Sequence, residues 1–212
     1  MEFKNADGKA IVLSLVKAIQ DNKDYLSEVD GLIGDGDHGV NMNKGFTICG
    51  EKLKETEADF STALKILGRI LMVEIGGSMG PLYGTFFSEM SKVTANKEKV
   101  DQALFADMLD AAYAGIKKIG NAQVGDKTLV DTIDPAVKAY KDACESGKDF
   151  KSSLEDMKTA AITGRDSTVG LIARIGRASR LGERSKGVLD AGATSCCLLL
   201  CTMADAVEEL IR

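Results

Sequence analysis

Apolar residues recur along the chain at helical spacing, with positions three and four residues apart forming stripes. The first stripe runs from Ile11 to Ile19, and another helix is expected after Gly39. Stripes of the same kind lie at 63–71, 82–90, 104–119, 133–144, 154–175 and 190–211. Ser61 is the expected N-cap of the helix at 63–71. No segment alternates with a period of two, so the pattern predicts about eight helices and essentially no sheet.

The chain shows no linker, low-complexity tract or internal repeat, so a single all-α domain over residues 1–212 is expected. Glycine, at 22 residues, is above its usual share of roughly 7%. Much of it is clustered at 31–39, 76–84, 164–192 and, more thinly, 115–125. Glycine is costly within regular structure. The clusters are therefore interpreted as loops at the joints between helices, where a shared site can be assembled.

Charge and cysteine content restrict the function. The formal charge of −5 argues against a general nucleic-acid partner. Residues 174–186 are locally basic, with five cationic residues against one acid, which favours a small anion. The N-terminus has no apolar signal region, and the apolar stretch Cys196 to Ala204 is too short to span a bilayer. Five cysteines with a single histidine indicate buried reduced thiols rather than zinc. A cytoplasmic protein without a membrane partner is expected.

The acidic loop at residues 30–41 carries the clearest chemistry. Three carboxylates, Asp30, Asp35 and Asp37, lie within eight residues and are interleaved with glycines. Carboxylates forced together repel one another unless a cation joins them. Oxygen ligands of this kind suit Mg²⁺ or Ca²⁺ rather than zinc. The loop is therefore predicted to bind phosphate through a metal, with the start of the following helix contributing free N–H groups.

Other interpretations of this loop are weaker. The glycines match G-x-G-x-x-G, but no strand precedes them and the aspartates would repel a bare pyrophosphate. An EF-hand fails because its fifth and twelfth positions would be Gly39 and Phe46. Solvated aspartates among turn glycines remain the plain alternative. The neighbouring His38 and Asn41 favour a site over that alternative.

Three further stretches are candidate loops. Gly76 to Pro81 precedes a helix and can cradle an anion, although close helix packing explains it equally well. Gly120 to Thr128 nearly matches a P-loop but has Asp126 before its lysine and follows a helix, so it is not a Walker A motif. The basic, glycine-rich segment 176–193 suits a lid over phosphates, or else a flexible surface loop.

Taken together, in this order, the four stretches resemble the nucleotide-binding L subunit of dihydroxyacetone kinase. The strongest pieces are GDGDHGVNMNKGF at 34–46, GGSMGPLYGTFF at 76–87, GDKTLVDTIDPA at 125–136 and GRASRLGERSKG at 176–187. The resemblance covers almost the whole chain. It implies a closed barrel of eight antiparallel amphipathic helices with a nucleotide, ADP or ATP, among the loops at one end.

The resemblance also implies roles for individual residues. Asp30, Asp35 and Asp37 would ligate magnesium, as two ions bridging to the diphosphate. The nucleotide would contact His38, Gly39, Val40, Asn41, Ser78, Met79, Gly120, Leu129, Arg177, Asp190, Ala191 and Gly192.

Three positions depart from the family pattern. Where the family often has Ala-Ser in the second loop, this chain has Ser78-Met79, so Ser78 or backbone N–H groups must replace the missing hydroxyl. At the end of the lid, Val188 and Ala191 stand where the family often has histidine and proline. Lid rigidity is expected to differ.

No convincing general base is seen, since His38 is the only histidine and adjoins the metal ligands. This fits the family's division of labour, in which a separate K subunit holds dihydroxyacetone. A free-standing L chain resembles the phosphoenolpyruvate-dependent form, where ADP stays bound and a phosphohistidine M subunit of the phosphotransferase system recharges it. The alternatives are an ATP-dependent kinase subunit for a ketose such as erythrulose, a relative of the fatty-acid kinases, a nucleotide-loaded regulator of a transcription factor, and a ligand-free scaffold.

Overall fold

Nine α-helices make up most of the computed structural model, which describes residues 1–211. They are α1 Lys9–Asp21, α2 Lys23–Gly31, α3 His38–Lys54, α4 Phe60–Glu74, α5 Met79–Thr94, α6 Gln102–Ile119, α7 Val130–Glu145, α8 Phe150–Ser167 and α9 Ala191–Leu210. The predicted helical class is confirmed. Helix α2 was not expected, because only Leu26 and Val29 of its residues are buried and they form no recognisable stripe.

The helix predicted at 154–175 is wrong in its second half. Helix α8 ends at Ser167, and Thr168–Gly170 form a 3-10 turn. The hydroxyl of Ser167 donates to the Gly164 carbonyl at 2.7 Å, and that of Thr168 donates to the Arg165 carbonyl at 2.6 Å. These bonds satisfy carbonyls that a longer helix would use. The chain then leaves the bundle as an irregular segment, residues 171–189, which holds most of the predicted lid at 176–193 and keeps the name of lid below. It contains a second 3-10 segment at Arg177–Ser185.

The structure contains two short strands, although the sequence pattern predicted essentially no sheet. Strand β1, Glu2–Lys4, pairs antiparallel with β2, Lys99–Asp101, and Phe3 lies opposite Val100. Both of these apolar side chains are buried. Three residues are too few to show a period of two, so the sequence pattern could not indicate this pair.

Aspartates, rather than the expected serine, begin several helices. Asp59 caps α4 by accepting the Thr62 N–H at 2.8 Å, which makes the prediction of Ser61 as the cap wrong. Ser61 lies inside the helix, and its own N–H donates to the side chain of Asn5. Asp101, Asp149 and Asp190 cap α6, α8 and α9 in the same way. A carboxylate at this position satisfies a free N–H and complements the helix dipole.

The core is formed by the apolar stripes that the sequence predicted. Neighbours in sequence pack together from α3 through α9, and α1 packs against both α9 and α3. Helix α9 is long and apolar enough to cross a membrane, but 67% of its apolar window is buried within the protein. That burial is typical of a core helix. The five cysteines are free; Cys144 and Cys201 are only partly buried.

Candidate functional site

One cavity of about 740 Å³ is lined by all four of the candidate stretches. The acidic loop 30–41 forms one wall. The turn before α5, the loop between α6 and α7, and the lid with the start of α9 form the others. Asp30 and Gly192, which lie 162 positions apart in sequence, therefore share one site. Ten of the twelve positions implied as nucleotide contacts line it, together with the three aspartates.

The three aspartates form a compact acidic cluster. Asp30 lies in the last turn of α2, and Asp35 and Asp37 lie in the turn before α3. One carboxylate oxygen from each falls within 4.8 Å of the others. Gly36, with φ of 75°, makes the turn that brings Asp35 and Asp37 to the same side. Burial, and then the charge of Asp35, raise the pKa of Asp37. Converging anionic oxygens that repel one another suit a hard divalent cation such as Mg²⁺.

The lid places a cation beside this cluster. Arg177 contacts Asp35, with its Nη1 at 2.5 Å from Oδ2. The Arg177 side chain is otherwise largely exposed, so the contact spans the mouth of the cavity from the lid to the acidic loop. A guanidinium here can pair with the aspartate or with a phosphate.

The starts of three helices converge on the cavity. His38 begins α3, Met79 begins α5 and Ala191 begins α9. The first N–H groups of a helix have no carbonyl partner within it, and they carry the positive end of the helix dipole. Ser78 and Met79 both line the cavity. Ser78 and the backbone of this turn are therefore placed to replace the hydroxyl that the family often has at position 79. This arrangement can bind several anionic oxygens through backbone N–H groups.

Gly39 and Val40 are the two predicted contacts that do not line the cavity. Val40 is 51% exposed on the outer side of α3. Gly39 is buried where α3 meets α2, and a Cβ there would overlap the Lys23 carbonyl and crowd Ser27. Only their backbone N–H groups, in the first turn of α3, remain available to a phosphate.

We expect Gly39→Ala to separate α2 from α3 and to lower the free energy of unfolding by about 1–3 kcal/mol, since the clash is with backbone. Thermal unfolding measures this effect. Gly170→Ala is the matched control, because a Cβ there meets nothing within 4 Å. Equal melting temperatures for the two variants would contradict the tight approach of α2 to α3.

Part of the cavity lining is apolar. It includes Leu82, Ile116, Ile119, Leu129 and Val130. Two predicted contacts, Leu129 and Gly120, belong to this lining or directly follow it in sequence. A cavity lined by both a metal-suited acidic cluster and several apolar side chains matches a ligand that has phosphates and a flat ring.

The loop between α6 and α7 contains residues whose role the sequence did not indicate. Asp131 accepts hydrogen bonds from the backbone of Gly125 and Thr128, which fixes the loop. Lys127 is 1% exposed and adopts a positive φ of 61°. Its ammonium donates to the carbonyls of Thr168 at 2.5 Å, just before the lid, and of Val188 at 2.6 Å, near the end of the lid. The near-match to a P-loop was rejected as a Walker A motif, and no other sequence signal pointed to this lysine.

Burial governs the protonation of two residues in the cavity wall. It lowers the pKa of His38 to about 4, so this imidazole is neutral at pH 7. Burial also raises the pKa of Asp190 to about 6, although the hydrogen bond from the Ala193 N–H lowers this pKa. Asp190 caps α9, and Ala191 and Gly192 follow it along the cavity wall.

Comparison with known proteins gives consistent matches. The DAK2 domain family matches residues 32–205. The chain is 37% identical over 187 residues to the ADP-binding subunit DhaL of the PEP-dependent dihydroxyacetone kinase of Escherichia coli (strain K12), covering 88% of this chain and 89% of that protein. It is 39% identical over 193 residues to the ADP-binding subunit DhaL of the PTS-dependent dihydroxyacetone kinase of Lactococcus lactis subsp. lactis (strain IL1403), covering 89% and 91%.

More distant matches are longer proteins. The L-erythrulose kinase of Pectobacterium atrosepticum is 31% identical over 194 residues, which cover 90% of this chain and 32% of that protein. The crystal structure of the dihydroxyacetone kinase from C. freundii in complex with AMP-PNP and Mg²⁺ aligns with a TM-score of 0.72 at 22% identity. That alignment covers 97% of this chain and 34% of the kinase chain, and it shows a shared fold. The resemblance inferred from the four glycine-rich stretches is confirmed.

Proposed function

Because this chain belongs to the DAK2 domain family, we propose that it is the ADP-binding subunit of a dihydroxyacetone kinase. It is similar over most of its length to subunits of that name. The observation that carries the proposal is that an acidic cluster, three helix starts and several apolar side chains line the same cavity. We further propose that the eight longer helices, α1 and α3 to α9, close into a barrel with this cavity at one end.

Different residues of the chain bind different parts of the nucleotide. Asp30, Asp35 and Asp37 would hold magnesium, as two ions, and the metal would offset negative charge on the phosphates. Backbone N–H groups at the starts of α3, α5 and α9 bind phosphate oxygens. Leu129 and the other apolar side chains of the lining pack on the base. Arg177, which contacts Asp35 at the cavity, would offer its guanidinium to a phosphate oxygen.

The phosphoryl acceptor is bound by another protein. The cavity walls offer no carboxylate or neutral base apart from the metal cluster, Asp190 and His38. Large apolar side chains are exposed on segments around the cavity, namely Leu32, Ile119, Val124 and Ile175. Such a rim suits docking of a partner. We propose that two partners dock here in alternation, in the cytoplasm. A K subunit brings bound dihydroxyacetone, and a phosphohistidine M subunit rephosphorylates the ADP without releasing it.

We expect the purified chain to produce no dihydroxyacetone phosphate from dihydroxyacetone with ATP, and none with phosphoenolpyruvate. Addition of a K subunit and a phosphorylated M subunit restores turnover. Appearance of the product, measured by a coupled enzyme assay, tests this dependence. Turnover by the chain alone would overturn the assignment as a nucleotide-carrying subunit.

The similarity to L-erythrulose kinase supports a second candidate, a nucleotide subunit that serves a related ketose with ATP as donor. The same assay separates the two, with erythrulose replacing dihydroxyacetone and ATP replacing the phosphorylated M subunit. A regulator that binds a transcription factor would use the same exposed rim.

A further inference from the structure

Most of the positive charge of the lid lies outside the cavity. The five cationic residues of the lid are all exposed, namely Arg174, Arg177, Arg180, Arg184 and Lys186. Of these five, all within the described part of the chain, only Arg177 lines the cavity. The sequence favoured a small anion as the partner of this basic segment, and a ligand in the cavity accounts for Arg177 alone. The other four cations require a different partner.

These outer cations are poorly neutralised by the protein itself. Within the described chain, Arg180, Arg184 and Lys186 form no ion pair, and Arg174 is 3.8 Å from its acidic neighbour Asp126. The lid carries five cations against one acid, whereas the rest of the chain carries 22 cations against 31 acids. Unpaired cations that are concentrated on one loop of an acidic protein create a local positive field. This field attracts an anionic partner.

The lid presents these cations from an ordered base. Ser185 is fully buried, and its hydroxyl accepts the Ala173 N–H at 2.9 Å and donates to the Gly182 carbonyl at 2.6 Å. These bonds join the two halves of the lid on either side of the arginines at 180 and 184. A charged surface that is ordered before it binds loses less conformational entropy when a partner docks.

Exposed apolar side chains lie on the same part of the surface. Ile175 in the lid is 39% exposed, and Ile119 and Val124, in and after the last turn of α6, are 50% and 59% exposed. The Arg174 N–H donates to the Asp126 carbonyl at 3.1 Å, which joins the lid to the loop that carries Val124. Apolar side chains bordered by arginines are typical of a surface that binds another protein. The net charge of −5 disfavours a nucleic acid.

The two proposed partners differ in the charge that they bring to the cavity. Dihydroxyacetone on the K subunit is neutral, whereas a phosphoryl group on the M subunit carries about two negative charges at neutral pH. We propose that Arg180 and Arg184 are docking residues that favour the phosphorylated M subunit over its unphosphorylated form. The inference rests on the proposed function, in which ADP is rephosphorylated without release. The attraction falls once the phosphoryl group has been transferred, so the discharged subunit leaves and the K subunit docks.

Charge reversal in the complete system tests this docking. Arg180→Glu combined with Arg184→Glu is assayed with K subunit, magnesium, ADP and varied phosphorylated M subunit. We expect the KM for phosphorylated M subunit to rise at least about tenfold at low salt, with kcat unchanged. In the wild type this KM rises with ionic strength, and in the variant the rise is lost. Unphosphorylated M subunit inhibits the wild type only at concentrations about tenfold above that KM, a preference that the variant loses.

Lys52→Glu combined with Lys54→Glu is the matched control. It makes the same change in charge on exposed residues in the last turn of α3, a helix that begins at the cavity and runs away from it. The control is expected to keep the wild-type KM. Arg180→Gln combined with Arg184→Gln is expected to raise the KM less than charge reversal does, and it serves if the reversed variant fails to fold.

The outcomes separate this inference from the proposed function. A KM for phosphorylated M subunit that is unchanged in the arginine variants would overturn the inference, and so would an equal rise in the KM for the K subunit. Calorimetry is expected to show wild-type ADP affinity in these variants, and a loss of affinity would assign the arginines to the nucleotide instead. A wild-type chain that binds no ADP would contradict the proposed function itself.

Discussion

Asp37→Asn is expected to abolish magnesium-dependent binding of ADP while leaving the helical fold intact. The substitution removes one charged oxygen from a cluster of three that lies at the phosphate end of the cavity. Loss of a ligand that holds magnesium against a diphosphate is expected to weaken ADP binding at least ~100-fold, or about 3 kcal/mol. Isothermal titration calorimetry with and without magnesium measures this loss.

The same variant should not lose stability in the absence of metal. Burial and the charge of Asp35 raise the pKa of Asp37, which means that its ionised form opposes folding at neutral pH. Its side chain makes no capping bond to α3, so asparagine removes no such bond. A melting temperature without magnesium that is equal to or above that of the wild type is therefore expected.

Asp24→Asn is the matched control for this experiment. Asp24 lies in the first turn of α2 with a fully solvated carboxylate, so its replacement changes the net charge equally without touching the cavity. The control is expected to bind ADP as the wild type does. Wild-type affinity in Asp37→Asn, in the presence of magnesium, would refute the assignment of the acidic cluster as the metal site.

Lys127→Met is expected to release the lid. The ammonium joins the Thr168 and Val188 carbonyls, so one side chain holds both ends of the lid from a neighbouring loop. Methionine keeps the length of the side chain and the same unfavourable positive φ, so the variant isolates the loss of the hydrogen bonds. Hydrogen bonds from a buried charged group stabilise by about 1.5–3 kcal/mol. A decrease of about 2 kcal/mol corresponds to a drop in melting temperature of roughly 4–8 °C.

Two measurements follow the lid itself. Trypsin cleaves after the exposed arginines of 177–184, and this cleavage is expected to be faster in Lys127→Met. The dissociation rate of ADP, from stopped-flow chase experiments, is expected to rise about tenfold, the equivalent of 1.4 kcal/mol. Lys186→Met is the control, because it removes an exposed lysine from the lid itself. If the two variants gave the same melting temperature and cleavage rate, Lys127 would not hold the lid.

The sequence predicted those features of the fold that depend on local residue patterns. Stripes such as Ile11 to Ile19 place apolar side chains on one face of a helix, and the five buried residues of this stripe lie in the core. Helix α2 escaped prediction because it packs through two buried apolar residues only. The end of α8 at Ser167 was not predicted, because it depends on hydrogen bonds from side-chain hydroxyls to backbone carbonyls. The apolar residues beyond Ser167 belong to the lid and not to the helix.

The candidate site was predictable where chemistry is concentrated in short segments. The aspartates of the acidic loop and the glycine-rich turns could be recognised from composition alone. Lys127 could not, because its partners lie 41 and 61 positions away and depend on how the helices pack. Gly39 was interpreted as a phosphate contact, whereas its position shows a further constraint, the close approach of α2 to α3.

We propose above that this cavity holds a magnesium-bound nucleotide for a partner's substrate. Native mass spectrometry of the purified chain in magnesium-containing buffer tests it most directly. The expected mass exceeds that of the polypeptide by one ADP and two magnesium ions, and Asp37→Asn shows the polypeptide mass alone. A wild-type chain that carries no nucleotide, and acquires none when ADP and magnesium are added, would contradict the account.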